Sequence, residues 1–296
     1  MTDPLLNLNA AAMRVESIDV AIDYAVEQLD SRSESPRLDA EILLSHVLGK
    51  NRAFLRAWPD ARLDPARIGE YLELIDARKK GTPIAYLTGY REFWSKSFRV
   101  GPAVLVPRPE TELLVEMALE IIPRNKPVKI LELGTGSGII ALSLALERPG
   151  ISILASDISP GALSIARENA SRLQIANVRF LNSNWFDQIP QERFELIVSN
   201  PPYVAETDPH LTRGDLAFEP EIALKSGPTG LEALRSIADQ ACDWLNPGGH
   251  LLLEHGFAQA DDLRQLLQRF NYGEIATRAD LQGHPRATRS KWAGSS

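Results

Sequence analysis

The chain has 296 residues, 44% of them hydrophobic, a net charge of −7 at neutral pH and one cysteine. That length buries a sizeable core and leaves room for two domains, and the lone Cys242 excludes an internal disulfide and any cysteine-based zinc site. Residues 1–107 hold 14 Lys+Arg against 15 Asp+Glu and the remainder 18 against 24, so neither half carries the basic surface that duplex binding draws on, and no direct nucleic-acid binding is expected.

The start, Met1-Thr2-Asp3-Pro4-Leu5-Leu6, has no basic leader region, and no window reaches the ~18 apolar residues of a membrane span. A cytoplasmic protein is therefore expected. Ser17 precedes a helical pattern with apolar Ile18, Ala21, Ile22, Ala25 and Val26. Ser35-Pro36 opens a second with Ala40, Leu43, Leu44, Val47 and Leu48, closed by Gly49, and Asp64-Pro65 opens a third with Ile68, Tyr71, Leu72 and Ile75. Residues 1–82 thus read as a small helical bundle. No polar constellation converges there, which suits docking rather than catalysis. The basic groups Arg78-Lys79-Lys80 and Arg91, Lys96, Arg99 read as a solvated helix end and a hairpin face.

Residues 83–107, with Phe93, Trp94, Phe98 and Val100, read as a β-hairpin linking the bundle to the rest. From 108 to 296 strands alternate with helices. Strands are expected near 128–133, 151–156, 177–181, 194–199 and 248–254, helices near 110–122, 137–148, 159–174, 229–244 and 257–270, and two terminal strands near 273–278 and 286–292. This alternation predicts an α/β domain with a largely parallel sheet and ligands at the carboxyl ends of its strands. Residues 204–228 form a long connection beside that edge.

Four motifs fall at those strand ends. After the strand 128–133 come Gly134-Thr135-Gly136-Ser137-Gly138, which bring backbone close to a ligand at a helix start. Ile139 stands where a dinucleotide fingerprint needs its third glycine, which disfavours hydride transfer. About 20 residues on, Asp157 ends the next strand, where a carboxylate accepts from both ribose hydroxyls; it equally suits a helix cap before Ser159-Pro160. Trp185 follows the third strand and reads either as a ligand-facing ring or as core. Finally, Asn200-Pro201-Pro202-Tyr203 ends the strand 194–199. A side-chain carbonyl, a backbone carbonyl followed by a residue without N–H, and an aromatic face suit a planar NH2 group; the plainer alternative is a proline turn. The five histidines lack paired metal-site spacing, so no metal is expected, and His255 at a strand end reads as structural.

Together these residues resemble the AdoMet loop and acceptor motif of class I methyltransferases, and the chain is similar to the HemK/PrmC family of N5-glutamine methyltransferases. The likeness extends over Thr82–Gly89, Val106-Pro107-Arg108-Pro109-Glu110-Thr111-Glu112, Ser183-Asn184-Trp185-Phe186, Asp208-Pro209-His210-Leu211, Phe218-Glu219-Pro220 and Leu253-Glu254-His255-Gly256. It implies a class I AdoMet-dependent methyltransferase fold: a Rossmann-like, mostly parallel seven-stranded sheet with an N-terminal helical bundle joined by a β-hairpin.

The resemblance also implies roles. Gly134, Thr135, Gly136, Ser137 and Gly138 would cradle the methionine end of S-adenosyl-L-methionine, Asp157 would hold the ribose, and Trp185 would pack on the adenine. Asn200 would touch both cofactor and substrate, and act with Pro201 in catalysis, while Pro201, Pro202 and Tyr203 complete a glutamine pocket. The implied partners are class I peptide-chain release factors, modified at a glutamine. This chain has Asn184 where the family usually has Asp. Two alternatives use the same residues: an adenine-N6 methyltransferase acting on DNA or RNA, which shares Asn-Pro-Pro-Tyr, and a non-catalytic AdoMet-binding protein.

Overall fold

A computed structural model of the chain describes residues 15–31, 33–212 and 214–294. They divide into two units, one of residues up to Gly89 with the short segment Gly214–Phe218, the other of Tyr90 onward without that segment.

In the first unit, the apolar spacing read from the sequence closes a helical core. Helices span Ile18–Leu29, Pro36–Leu48, Arg52–Ala57, Pro65–Lys79 and Ile84–Thr88. Ile18, Ala21, Ile22, Ala25, Ala40, Leu43, Leu44, Val47, Ile68, Leu72 and Ile75 are buried together, and the hydroxyl of buried Tyr71 donates to the Ala40 carbonyl at 3.2 Å. Val26 and Leu48 pack at the margin of that core. Asp64 caps its helix by accepting from Ala66 N–H, and Gly49 ends the second helix in the left-handed conformation. Ser17 makes no cap bond; its hydroxyl donates to Asp19 instead. Arg78 is no solvated cation: it is held between Asp39 and Asp215, each at 2.8 Å.

The hairpin is shorter than the span 83–107. Ile84–Thr88 is a helix ended by Gly89 at φ 76°, and only β1 (Tyr90–Phe93) and β2 (Lys96–Arg99) pair, antiparallel. Their two-residue turn, Trp94-Ser95, has positive φ at both positions, the geometry that matches strand twist. Neither residue is a glycine, and the turn is held from outside: Trp94 N–H donates to Glu112 at 2.7 Å and its indole N–H to Glu147 at 2.9 Å.

The remaining strands are β3 (Lys129–Leu133), β4 (Ser152–Asp157), β5 (Val178–Asn182), β6 (Phe194–Ser199), β7 (Leu245–Glu254), β8 (Tyr272–Ala279) and β9 (Pro285–Trp292). Together they form one seven-stranded sheet in the order β5-β4-β3-β6-β7-β9-β8, parallel from β5 to β7 and antiparallel at β9 and β8. Helices Glu112–Ile121, Ile139–Glu147, Pro160–Arg172, Glu232–Gln240 and Ala260–Arg269 accompany it, and two apolar cores form from its inward side chains. Strand order reverses between β3 and β6, where successive crossovers leave in opposite directions. The crevice at such a reversal is the ligand position of open α/β sheets. The connection 204–228 is built of single 3₁₀ turns and a Val204–Lys225 bridge.

Asn169 fastens three parts of this domain. Fully buried on the helix Pro160–Arg172, it accepts from Arg99 N–H at 2.7 Å and donates to the carbonyls of Arg99 at 3.0 Å and Ser137 at 2.9 Å. Asn169→Ala strips these backbone groups of their partner and is expected to cost about 2–4 kcal/mol of stability, each buried unpaired group being worth about 1–3 kcal/mol. Urea unfolding measures this, and a loss below about 1 kcal/mol would mean that water replaces the amide.

Candidate active site

A cavity of about 410 Å³ opens at the carboxyl ends of the central strands. Gly134, Thr135, Gly136 and Ser137 after β3, Asp157 at the end of β4, Trp185 after β5, and Asn200 and Pro202 after β6 all line it. Gly138, Pro201 and Tyr203 do not belong to its walls.

The glycine loop works by shape more than by offering N–H groups. Thr135 N–H donates to the Ser156 carbonyl, Gly136 N–H to Asp157 Oδ2 at 2.8 Å, and Gly138 N–H to the Thr135 carbonyl. The tight turn places those donors on the protein's own acceptors, so most of the loop's contribution is close approach. Gly136, at φ 56°, has open space where a Cβ would stand. Gly138, at φ 85°, serves packing, because a Cβ there would lie 3.0 Å from Leu142 and 3.3 Å from Ala166.

Under the loop lies Glu132, fully buried on β3. Its Oε2 accepts from the Thr135 hydroxyl at 2.7 Å and from Ala141 N–H at 3.2 Å, which ties the turn to the start of the following helix. Oε1 has no partner among the described residues. Burial pushes this carboxyl up to about 8, and the nearby Asp157 adds to the rise.

Asp157 faces the cavity with both oxygens anchored by backbone: Oδ2 takes Gly136 N–H, and Oδ1 takes Ser159 N–H at 2.9 Å. Each oxygen keeps a lone pair for a ligand hydroxyl. Burial raises its pKa while these bonds oppose the rise. The helix cap is Ser159, whose hydroxyl accepts from Ala162 N–H. Trp185 lies in the left-handed region at φ 47°, held there by the Ser183 hydroxyl, which donates to its carbonyl at 2.9 Å. Such strain at a cavity wall is a feature of ligand sites. A Cβ at Gly134 would stand 3.8 Å from its ring, and Asn184 beside it donates to Asp187 at 3.3 Å.

The acceptor corner extends beyond the four residues read from the sequence. Asn200 commits its NH2 to the Thr111 hydroxyl at 3.1 Å, so its Oδ1 is the end with capacity for an incoming donor. The Tyr203 hydroxyl donates to Glu254 Oε1 at 3.3 Å, and Glu254 Oε2 has no partner among the described residues. Arg108, another wall residue, pairs with buried Glu219, which also accepts from Val106 N–H. Two segments that stand about 110 residues apart in the sequence meet in that ion pair. His255 is structural: its Nδ1 donates to the Gly256 carbonyl and its Nε2 accepts from Thr288, both at 2.9 Å, and burial keeps it neutral. Among the described residues no cluster of His, Cys, Asp or Glu is arranged to hold a metal ion, and no helix is long and apolar enough to cross a membrane.

Residues 21–89 match the family described as PrmC N-terminal domain and residues 110–217 the methyltransferase small domain. The chain is 48% identical over 264 residues to the release factor glutamine methyltransferase of Salmonella typhimurium, covering 89% of this chain and 95% of that one. It is 46% identical over 268 residues to the Escherichia coli protein of the same name, covering 90% and 96%. In fold it is similar to a 16S rRNA N2 G1207 methyltransferase of T. thermophilus solved with AdoMet and guanosine, at a TM-score of 0.50 and 18% identity over 69% of this chain and 49% of that one.

The buried acid Glu132 makes stability depend on pH. Its folded-state pKa, about 8, lies above the ordinary 4.5, so the native state holds a proton that the unfolded chain releases. Stability is therefore fullest below about pH 4.5 for this group, falls as pH rises toward 8, and is level above. Asp157 and Glu254 act with the same sign. Glu132→Gln is expected to flatten the fall in melting temperature across that window; curves parallel to wild type would contradict the assignment.

Proposed function

Because the chain belongs to the release factor glutamine methyltransferase family, we propose that it transfers a methyl group from S-adenosyl-L-methionine to the side-chain amide nitrogen, N5, of the glutamine in the Gly-Gly-Gln motif of class I peptide-chain release factors. It does so in the cytoplasm and without binding nucleic acid directly. The observation that carries this reading is a strand-end corner able to accept hydrogen bonds, Asn200 with its NH2 already committed to Thr111, on the wall of the cavity that holds Asp157 and Trp185.

The chemistry of the walls suits the cofactor. Asp157 would take the ribose hydroxyls, Trp185 the adenine, and the turn from Gly134 to Ser137 the methionine end. When bound, AdoMet supplies a methyl made electrophilic by the sulfonium to which it is attached. An amide nitrogen is a poor nucleophile because its lone pair is delocalised, so the protein's task is placement. Asn200 Oδ1 on the cavity wall, and the carbonyl of Pro201, which joins the wall residues Asn200 and Pro202 without lining the cavity itself, would each accept one N–H of a substrate seated there and aim the nitrogen, supplying part of the ~7–11 kcal/mol that orientation can contribute. The same two oxygens stabilise positive charge as it grows on nitrogen. No side chain has to act as a base, since the proton can leave after the methyl arrives.

Asn200→Ala removes an acceptor while leaving the glycine loop and Asp157 in place. Turnover on a release factor is expected to fall by ~100-fold or more, the cost of misplacement, with AdoMet affinity by calorimetry changed only a few fold. Turnover within a few fold of wild type would refute the acceptor corner.

The helical region 1–82 acts in this reading as a docking module for the body of the release factor, because a single exposed glutamine offers little surface. That none of its described residues lines the cavity supports this. Removing it is expected to lower kcat/KM on an intact release factor far more than on a short Gly-Gly-Gln peptide, in a truncated protein whose fold is checked by circular dichroism. Equal losses on both substrates would make the module structural only.

A further inference from the structure

The methionine end of AdoMet carries a carboxylate, and the turn placed against it above brings no charge to meet it. None of the side chains from Gly134 to Ser137 is cationic. The amides of Thr135, Gly136 and Gly138 are already spent on the Ser156 carbonyl, Asp157 Oδ2 and the Thr135 carbonyl. A carboxylate taken into a cavity is costly unless donors meet it, so its partner has to come from elsewhere on the wall.

The cationic side chains of that wall are Arg108 and Lys225. Lys225 pairs at 2.7 Å with the exposed Glu221, four residues before it. Arg108 is built in more firmly. Its Nη2 donates to Oε1 of Glu219, whose side chain is fully buried, and Oε2 of the same Glu219 accepts from Val106 N–H at 3.3 Å. One carboxylate oxygen uses only part of the fork of donors on a guanidinium, and Arg108 has no other acceptor among the described residues. A chain of contacts also sets Arg108 at the right end of the cavity. Its carbonyl accepts from Thr111 N–H at 3.2 Å, the Thr111 hydroxyl accepts from Asn200 NH2 at 3.1 Å, and the Asn200 carbonyl stands 3.9 Å from where a Cβ of Gly134 would be. Asp157 and Trp185 follow β4 and β5, on the other side of β3. A ligand with its ribose on Asp157 and its adenine on Trp185 therefore runs its far end past Gly134 toward Arg108.

We propose that Arg108, held in place by Glu219, binds the carboxylate at the methionine end of AdoMet and makes the cavity selective for a ligand that carries this group. The proposal rests on the cofactor placement given above and is independent of which acceptor receives the methyl. A guanidinium suits the task because its planar fork matches a carboxylate with two parallel bonds. Glu219 fixes that fork before the ligand arrives, so less side-chain freedom is lost on binding.

Calorimetric titration of the full chain with AdoMet, decarboxylated AdoMet and 5′-methylthioadenosine tests this without any turnover. Wild type should bind AdoMet roughly 10- to 100-fold more tightly than decarboxylated AdoMet, the scale of a hydrogen bond to a charged group. Arg108→Met keeps an apolar stem and removes the cation; it should weaken AdoMet by about that factor and leave the two ligands without a carboxylate within about twofold. Arg108→Lys, a point charge without the fork, should fall between. Should the buried Glu219, left without its partner, unfold Arg108→Met, the double variant Arg108→Met with Glu219→Gln carries the same comparison. The proposal would be overturned by a wild type with no preference for AdoMet, by equal weakening of all three ligands, or by loss of the preference in Lys225→Met in place of Arg108→Met. A wild type that binds none of the three would refute the cofactor placement itself.

Discussion

Parallel strands cannot be joined by tight turns, and this constraint organises the catalytic domain. Each crossover must pass over the sheet, on a helix everywhere except between β5 and β6, so each strand ends in a loop on one edge. In the order β5-β4-β3-β6-β7 the crossovers from β3 run one way and those from β6 the other, which leaves the edge between β3 and β6 uncovered. Gly134 and Asn200 follow those two strands, Asp157 ends β4 beside β3, and Trp185 follows β5 beyond it. A cofactor site and an acceptor corner thus share one cavity wall because of topology, and the side chains then specialise it.

That specialisation rests on acids the sheet has buried. Asp157, Glu132 and Glu254 all stand on or at the end of strands, and burial raises the pKa of each. Taking a carboxyl out of water is unfavourable unless donors compensate. Here the donors are the parts that need holding: the Gly136 and Ser159 N–H groups for Asp157, Thr135 and Ala141 for Glu132, Tyr203 for Glu254. Some stability is given up for a loop and a tyrosine held in one geometry, the usual trade at a preorganised site.

The sheet and the motifs on its edge were legible because strand ends are marked by local chemistry: glycines with positive φ, an acid after an apolar run, a proline pair that stops a ladder. Strand limits accordingly came within a few residues. Two short helices escaped. Arg52–Ala57 is too brief to show a 3.6-residue period, and Ile84–Thr88 is rich in branched and aromatic residues that read as strand, although Pro83 and Gly89 bracket it. The partners of the site residues were hidden for a different reason. Thr111 meets Asn200 across 89 positions, Arg108 meets Glu219 across 111, and Asn169 meets Arg99 across 70, contacts that only tertiary packing creates. A faint signal existed in the acids that close the apolar runs Ile130-Leu131-Glu132 and Leu252-Leu253-Glu254, since a carboxyl in such a run must find a buried role. In the glycine loop, a turn tight enough to admit a ligand also brings the Thr135, Gly136 and Gly138 amides onto Ser156, Asp157 and Thr135, partners that spacing alone does not reveal.

The claim on which all of this converges is that the cavity delivers a methyl group to an amide nitrogen of a protein. Incubation of the full chain with AdoMet carrying a labelled methyl, a class I release factor and, in parallel, adenine-containing DNA tests it most directly, with the modified position mapped by fragmentation mass spectrometry. The account predicts one methyl on the glutamine side chain of the Gly-Gly-Gln motif and none on DNA. Label on adenine, or on a release-factor residue other than that glutamine, would contradict it.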